Sequence, residues 1–135
     1  MADPHFELRD GHCRHVPNVA KKRNVALISV CGFYELDNFD PLITHIKAIC
    51  RNLDADYAGA VLRPQAPMLP EIPTIHPLFF KLRAIKKAIA RAGNEFATVG
   101  KISDEAMRDS SQAVVSKEMY LEKTNEYFDK KLKGC

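Results

Sequence analysis

The chain has 135 residues, 46% hydrophobic and 27% charged, with a formal net charge of +3, which bounds it to one domain around a single core. That charge is too mild to imply nucleic acid, and no apolar run approaches the ~20 residues of a membrane-spanning helix. The opening Met1-Ala2-Asp3-Pro4-His5 lacks the apolar segment of a signal peptide, and Cys13, Cys31, Cys50 and Cys135 form no CxxC pair, so the expectation is a cytoplasmic chain with reduced thiols.

Residues 1–24 are polar and turn-rich. Asp10-Gly11 is a type I′ turn signal between Phe6-Glu7-Leu8-Arg9 and His12-Cys13-Arg14-His15-Val16. The segment either pairs as a short hairpin or runs as an irregular arm. His12, Cys13 and His15 gather two imidazoles and a thiol, with Cys13 and His15 on one face of a strand. A metal there needs further ligands from elsewhere, and a polar edge strand is the plainer alternative.

Val25 to Val30 is β-rich and apolar on both faces, which predicts a buried strand. A loop follows from Cys31 to Phe39. Asp40 suits an N-cap and Pro41 a first helical position, and Leu42, Ile43, Ile46, Ile49, Cys50 and Leu53 mark one helical face. Tyr57 to Arg63 reads as a second strand, completing a βαβ unit with parallel strands. Pro64, Pro67, Pro70, Pro73 and Pro77 then exclude regular structure until Pro77 opens a helix. Leu78, Phe79, Leu82, Ile85 and Ile89 form its apolar stripe, and Gly93 ends it. Ser103 and Ser116 cap two more helices, the last carrying Met119, Tyr120, Thr124, Tyr127 and Phe128 to about Lys131. The domain therefore divides into an arm or hairpin (1–24), a strand–helix–strand–helix body (25–100) and C-terminal helices (101–135).

Two parallel strands are too small a sheet to stand alone, and their edges stay unpaired. The hairpin, a second copy in a homo-oligomer or a different partner chain must complete it.

The glycines spell neither GxGxxG nor GxxxxGK[ST], and no Ser/Thr-rich phosphate loop follows a strand in the first half. Cys31-Gly32-Phe33 closes a strand at its carboxyl end, where α/β proteins bind ligands. Gly32 permits close approach, and Phe33 and Tyr34 can border a planar ring. The alternative is a tight strand-to-helix turn with core aromatics. No base adjoins Cys31 to activate its thiol. Arg63 follows the second strand, where its guanidinium meets an anion or an ordinary salt-bridge partner. His45 and His76 are isolated, and the spacings give no Ser-His-Asp set, so no catalytic residue is assigned. A nucleic-acid module would rest only on Lys21-Lys22-Arg23 and Lys130-Lys131-Leu132-Lys133, clusters that equally solvate a strand start and a helix end.

Val25–Leu42 (VALISVCGFYELDNFDPL) resembles the fourth strand and following loop of the flavodoxin-like, NAD(P)H-dependent FMN reductases, closest to the branch that includes iron–sulfur flavoproteins. Asp10–His15 is similar to the stretch before that strand, and Asn52–Pro64 to the approach to the fifth strand. Ile102–Glu105, Ser116–Tyr120 and Asn125–Phe128 resemble the C-terminal helices. The likeness spans nearly the whole chain but only the C-terminal part of the family's fold. The family's first three strands and its phosphate loop have no counterpart here. The resemblance implies an α/β, flavodoxin-like half-domain of three-layer type, with few parallel strands and a helix-rich C-terminal part. It implies a truncated or half-domain form of an FMN-dependent oxidoreductase in which Ser29, Val30, Cys31, Gly32 and Phe33 border the flavin, the cofactor carrying the chemistry. The alternative is a non-catalytic subunit or remnant that associates through its sheet edge and binds no flavin alone.

Overall fold

The computed structural model describes residues 4–17, 23–69 and 77–133. Asp10 and Gly11 take φ of 51° and 75°, the left-handed pair that a type I′ turn requires. Phe6–Arg9 (β1) and His12–His15 (β2) therefore pair antiparallel. Of the two alternatives the hairpin is the one formed, but it is a sheet of its own and pairs with neither of the parallel strands. Arg9 ties it to the body through an ion pair with Asp54 at 2.9 Å.

Arg23–Val30 (β3) and Ala55–Arg63 (β4) are parallel and joined by a helix, Asp40–Asn52 (α1), as the βαβ reading requires. Both strands start two residues earlier than their apolar runs, because backbone pairing of Arg23 with Ala55 does not depend on hydrophobicity. The register slips between Val25, opposite Tyr57, and Ala26, opposite Gly59. Ala58 is the extra residue of a β-bulge, and Gly59 takes a φ of 115° there.

The loop after β3 is more regular than expected. Leu36–Phe39 form a 3₁₀ turn that runs straight into α1, and the buried Phe39 holds the N-cap position. Asp40 is thus not the cap. It is already helical, and its N–H donates to the carbonyl of Asp37. The proline-rich segment also holds a short 3₁₀ turn, Ala66–Met68, begun by Gln65 at a φ of 56°. Pro70, Pro73 and His76 lie outside the described residues, as do Lys21, Lys22 and Cys135.

The next helix, Phe79–Val99 (α2), runs through Gly93 rather than ending there. Packing outweighs the ~1 kcal/mol that a mid-helix glycine costs: Ala92 is wholly buried beside Gly93 and Phe96 packs on the same cluster one turn later. Gly100, at a φ of 76°, ends the helix by donating its N–H to Phe96. Ser103 caps Asp104–Ser110 (α3), accepting the Ala106 N–H at 3.2 Å. Ser116 does the same for Lys117–Lys133 (α4), accepting the Met119 N–H at 3.3 Å.

The body has three layers. On one face of the sheet, Leu27, Ala60 and Leu62 pack with Phe39, Leu42 and Ile43 of the turn and α1. On the other, Ala26 and Val61 pack with Ala92, Phe96, Ile102 and Ala106 of α2, α3 and the segment between them. The two strands are not equally covered. β4 is buried from Ala58 to Arg63, whereas Ile28 and Val30 of β3 are 78% and 67% exposed. The edges differ too. Beyond β4, the Ala58 carbonyl accepts the Ile102 N–H at 2.8 Å and the Ala60 N–H meets Met107 Sδ at 3.2 Å. Beyond β3, no strand pairs among the described residues. The fold is mixed α/β, and no helix among the described residues is long and apolar enough to cross a membrane.

Candidate functional site

The loop after β3 lies at the carboxyl end of both strands, and its backbone is tied on three sides. The Cys31 N–H donates to the Arg63 carbonyl, the Cys31 carbonyl accepts from Ala66, and the Phe33 carbonyl accepts from Gln65, each at 3.0 Å. The Phe33 N–H donates to Cys31 Sγ at 3.3 Å. The Tyr120 hydroxyl, from the first turn of α4, donates to the Gly32 carbonyl. The loop is therefore a fixed platform, because most of its polar backbone groups are already paired within the chain.

Ser29, Val30, Cys31, Gly32 and Phe33 are brought to one end of the sheet but not to one surface. Ser29 is half-buried on the α1 side, and the Cys31 thiol packs against the cluster around Phe39 and Leu62. Val30 and Phe33 are each 67% exposed, and Gly32 is exposed between them. Strand alternation causes this split, sending Ser29 and Val30 to opposite faces. Neither Tyr34 nor Phe39 is a free platform. The Tyr34 ring lies 5.9 Å from that of Tyr120, and its hydroxyl donates to the Val115 carbonyl at 3.4 Å. Beside it Lys117 pairs with Glu35, holding that carboxyl below its usual range and raising the lysine.

Two residues of the β4 end organise this region, and sequence reasoning missed the first. Gln65 is completely buried. Its Oε1 accepts the Val114 N–H at 2.9 Å and its Nε2 donates to the Val115 carbonyl at 3.5 Å. It pins the α3–α4 connection over the end of the strands. The only signal in the sequence was a polar residue set between Pro64 and Pro67 at a strand end.

Arg63 pairs with no carboxylate among the described residues. It is 4% exposed, and its Nη1 donates to the carbonyls of Ser110 at 2.9 Å and Gln112 at 2.8 Å, at the carboxyl end of α3. That end of a helix favours a cation. Nε and Nη2 are sealed from solvent without a partner, and burial presses the guanidinium below its ordinary pKa.

The other sequence candidates are scattered. His45 is exposed on α1. The His15 ring lies 4.6 Å from Phe6 across the hairpin. Among the described residues no group of three or more His, Cys, Asp or Glu side chains is arranged to hold a metal. Cys13, Cys31 and Cys50 are unbridged, and burial raises the Cys50 thiol. A shallow groove of about 340 Å³ runs between α2 and the end of α3, lined by Ile85, Lys87, Arg91, Asp109 and Gln112. Its Arg91 is already committed to Glu95 and Glu105, each at 2.8 Å.

No family model, no curated protein and no solved structure matches this chain.

Proposed function

We propose that this chain is a flavodoxin-like half-domain of an FMN-dependent oxidoreductase of the NAD(P)H-dependent FMN reductase type. In this reading Ser29, Val30, Cys31, Gly32 and Phe33 border the flavin ring, and another chain or copy supplies the groups that hold its phosphate. The observation that carries it is the exposed Phe33 ring on a fixed loop at the carboxyl end of a parallel strand pair. The ring side of the site fits: Val30, Gly32 and Phe33 offer an apolar, rigid surface to a planar group. The phosphate side does not fit these residues alone, since Arg63, whose carbonyl bonds the Cys31 N–H, has its guanidinium sealed. Bound FMN would supply the electron transfer. The chain's own residues orient the ring and exclude water from one face.

The test is titration of FMN with the purified chain, followed by flavin fluorescence. Saturable quenching is expected, weakened at least about tenfold in Gly32→Val, one decade of affinity being the least a crowded approach should cost. A Cβ at position 32 meets only Pro67 Cγ at 3.9 Å, and an unchanged circular dichroism spectrum of the variant makes the loss a report on ligand approach. Unquenched flavin at high micromolar protein, with riboflavin, which needs no phosphate site, as well as with FMN, overturns the proposal.

One observation favours a second reading, a non-catalytic subunit that binds no flavin. The backbone groups of Cys31, Gly32 and Phe33 that would meet a ligand are largely bonded to residues 63–66 and Tyr120. Unquenched flavin together with an associating chain is its signature.

A further inference from the structure

We infer that the uncovered face of β3 and the uncovered face of α4 form one interface between two copies of this chain, with α4 of each protomer lying across β3 of its partner. The inference does not rest on flavin binding, although Val30 belongs to both surfaces.

In a three-layer α/β body both faces of every strand need a helix over them. α1 covers one face, and on the other α2 and α3 pack around Val61 of β4. Ile28 and Val30 point to that second face, in register with Val61 and Arg63, and stand open beside it.

α4 is a helix with the converse defect. At 100° per residue Tyr120, Leu121, Thr124, Tyr127, Phe128 and Leu132 fall within one arc of about 140°. Glu118, Glu122, Glu126, Asp129, Lys130 and Lys133 occupy the opposite side. Of the apolar arc only Tyr120 is buried, and Leu121, Tyr127, Phe128 and Leu132 are 51–75% exposed. A 17-residue helix draws most of its stability from burying such a face.

α4 does not cover its own β3. The Tyr120 bond to Gly32 fixes the start of the helix at the carboxyl end of that strand. From Leu121 to Lys133 every residue but the half-buried Thr124 is exposed, so the helix leads away from the sheet. The hairpin does not cover β3 either, being tied to Asp54 at the opposite end of β4. A second copy brings both halves at once. Related by a two-fold axis, each chain gives its helix and receives its partner's, so the interface closes on itself. Covering Ile28, Val30, Leu121, Tyr127, Phe128 and Leu132 removes at most about 700 Å² per chain, within the range of a stable protein interface, and leaves Phe33 to the flavin loop. The surfaces are apolar except for Lys131, which falls inside the α4 arc with its ammonium 5.7 Å from the centre of the Tyr127 ring.

The experiment is sedimentation equilibrium on the full chain. The expected mass at micromolar concentration is twice the 15.2 kDa of one chain. Two variants, Phe128→Asp with Leu132→Asp, and Val30→Asp alone, alter side chains that are exposed in the protomer. Each should keep its circular dichroism and dissociate at least about 100-fold more readily, the scale of losing a central apolar anchor. Mixed together they should recover association in part, since one of the two crossed junctions is then intact. A wild-type monomer at tens of micromolar overturns the inference. So does a dimer that the α4 variant leaves untouched, which would point to strand-to-strand pairing at the β3 edge, or association only with a different chain. Flavin quenching is measured on the Phe128→Asp, Leu132→Asp variant, which leaves the loop residues intact, so the flavin reading and this interface fail separately.

Discussion

Replacing Gln65 with Leu tests whether this buried amide organises the candidate site. The two side chains are close in volume, so no cavity opens, and the backbone at φ 56° is equally awkward for both. What disappears is the acceptor for the Val114 N–H and a long bond to the Val115 carbonyl. Val115 keeps the Tyr34 hydroxyl, but Val114 is completely buried and finds no substitute. An orphaned buried N–H costs about 1–3 kcal/mol, so about 2 kcal/mol is expected. At this chain length that lowers Tm by about 6–10 °C. Thermal unfolding by circular dichroism measures the shift, and hydrogen exchange should accelerate first at residues 114–120. Gln65→Leu and Tyr120→Phe should also be non-additive by about 0.5 kcal/mol or more, because both hold the same segment to the loop. A Tm within 2 °C of wild type, with unchanged exchange, refutes the reasoning that Gln65 is the pin.

Gly59→Ala should destabilise by about 3 kcal/mol, combining the strain of a non-glycine at φ 115° with overpacking. The new Cβ would sit 3.0 Å from both Ile102 Cβ and Met107 Sδ, and the midpoint of urea unfolding reads the effect. Glu95 accepts the Ser103 N–H at 2.8 Å and hydroxyl at 3.1 Å, which, with Arg91, holds its carboxyl below the usual range. Its stabilisation is complete above the ordinary carboxylate pKa of about 4.3 and fades as pH falls through the lower folded value. Wild type should therefore lose Tm faster than Glu95→Gln on acidification from pH 5 to pH 3, and parallel curves would contradict this. Arg63→Lys places a titratable amine where burial depresses the pKa. The unfolded state then binds the extra proton, so this variant should gain stability from pH 7 to pH 10 relative to wild type. Equal pH profiles would show that the site is wetter than its 4% exposure suggests.

Local chemistry was legible where it acts alone. Asp10-Gly11 specified its turn, Ser103 its cap, and the apolar run at Val25 its strand, because each depends on neighbouring residues only. Gly93 misled because the continuation of α2 is decided by Ala88 and Ala92, whose small side chains carry little hydropathic signal yet pack tightly. Asp40 misled because Phe39, buried from a distance, fixes where the helix begins. At the candidate site the loop residues were found, but what holds them was not. Gln65 and Tyr120 reach their partners across long stretches of chain, and no spacing rule connects Tyr120 to Gly32. Arg63 was singled out, but its pairing with the carbonyls of Ser110 and Gln112 emerged only from the packing of α3.

The bulge at Ala58 and Gly59, with Ile102 and Met107 lying along it, has a consequence for how such molecules accumulate. A sheet open at both edges can add chains without limit and grow into fibrils. This sheet is blocked at one edge by its own backbone and sulfur contacts, so it has a valence of one. Strand pairing at the open edge is therefore finite: once two sheets meet edge to edge, neither keeps an edge for a third. Weakening the block, as Gly59→Ala would, threatens more than the stability of one protomer. It gives the molecule a second end, and turns a self-limiting pair into a chain reaction.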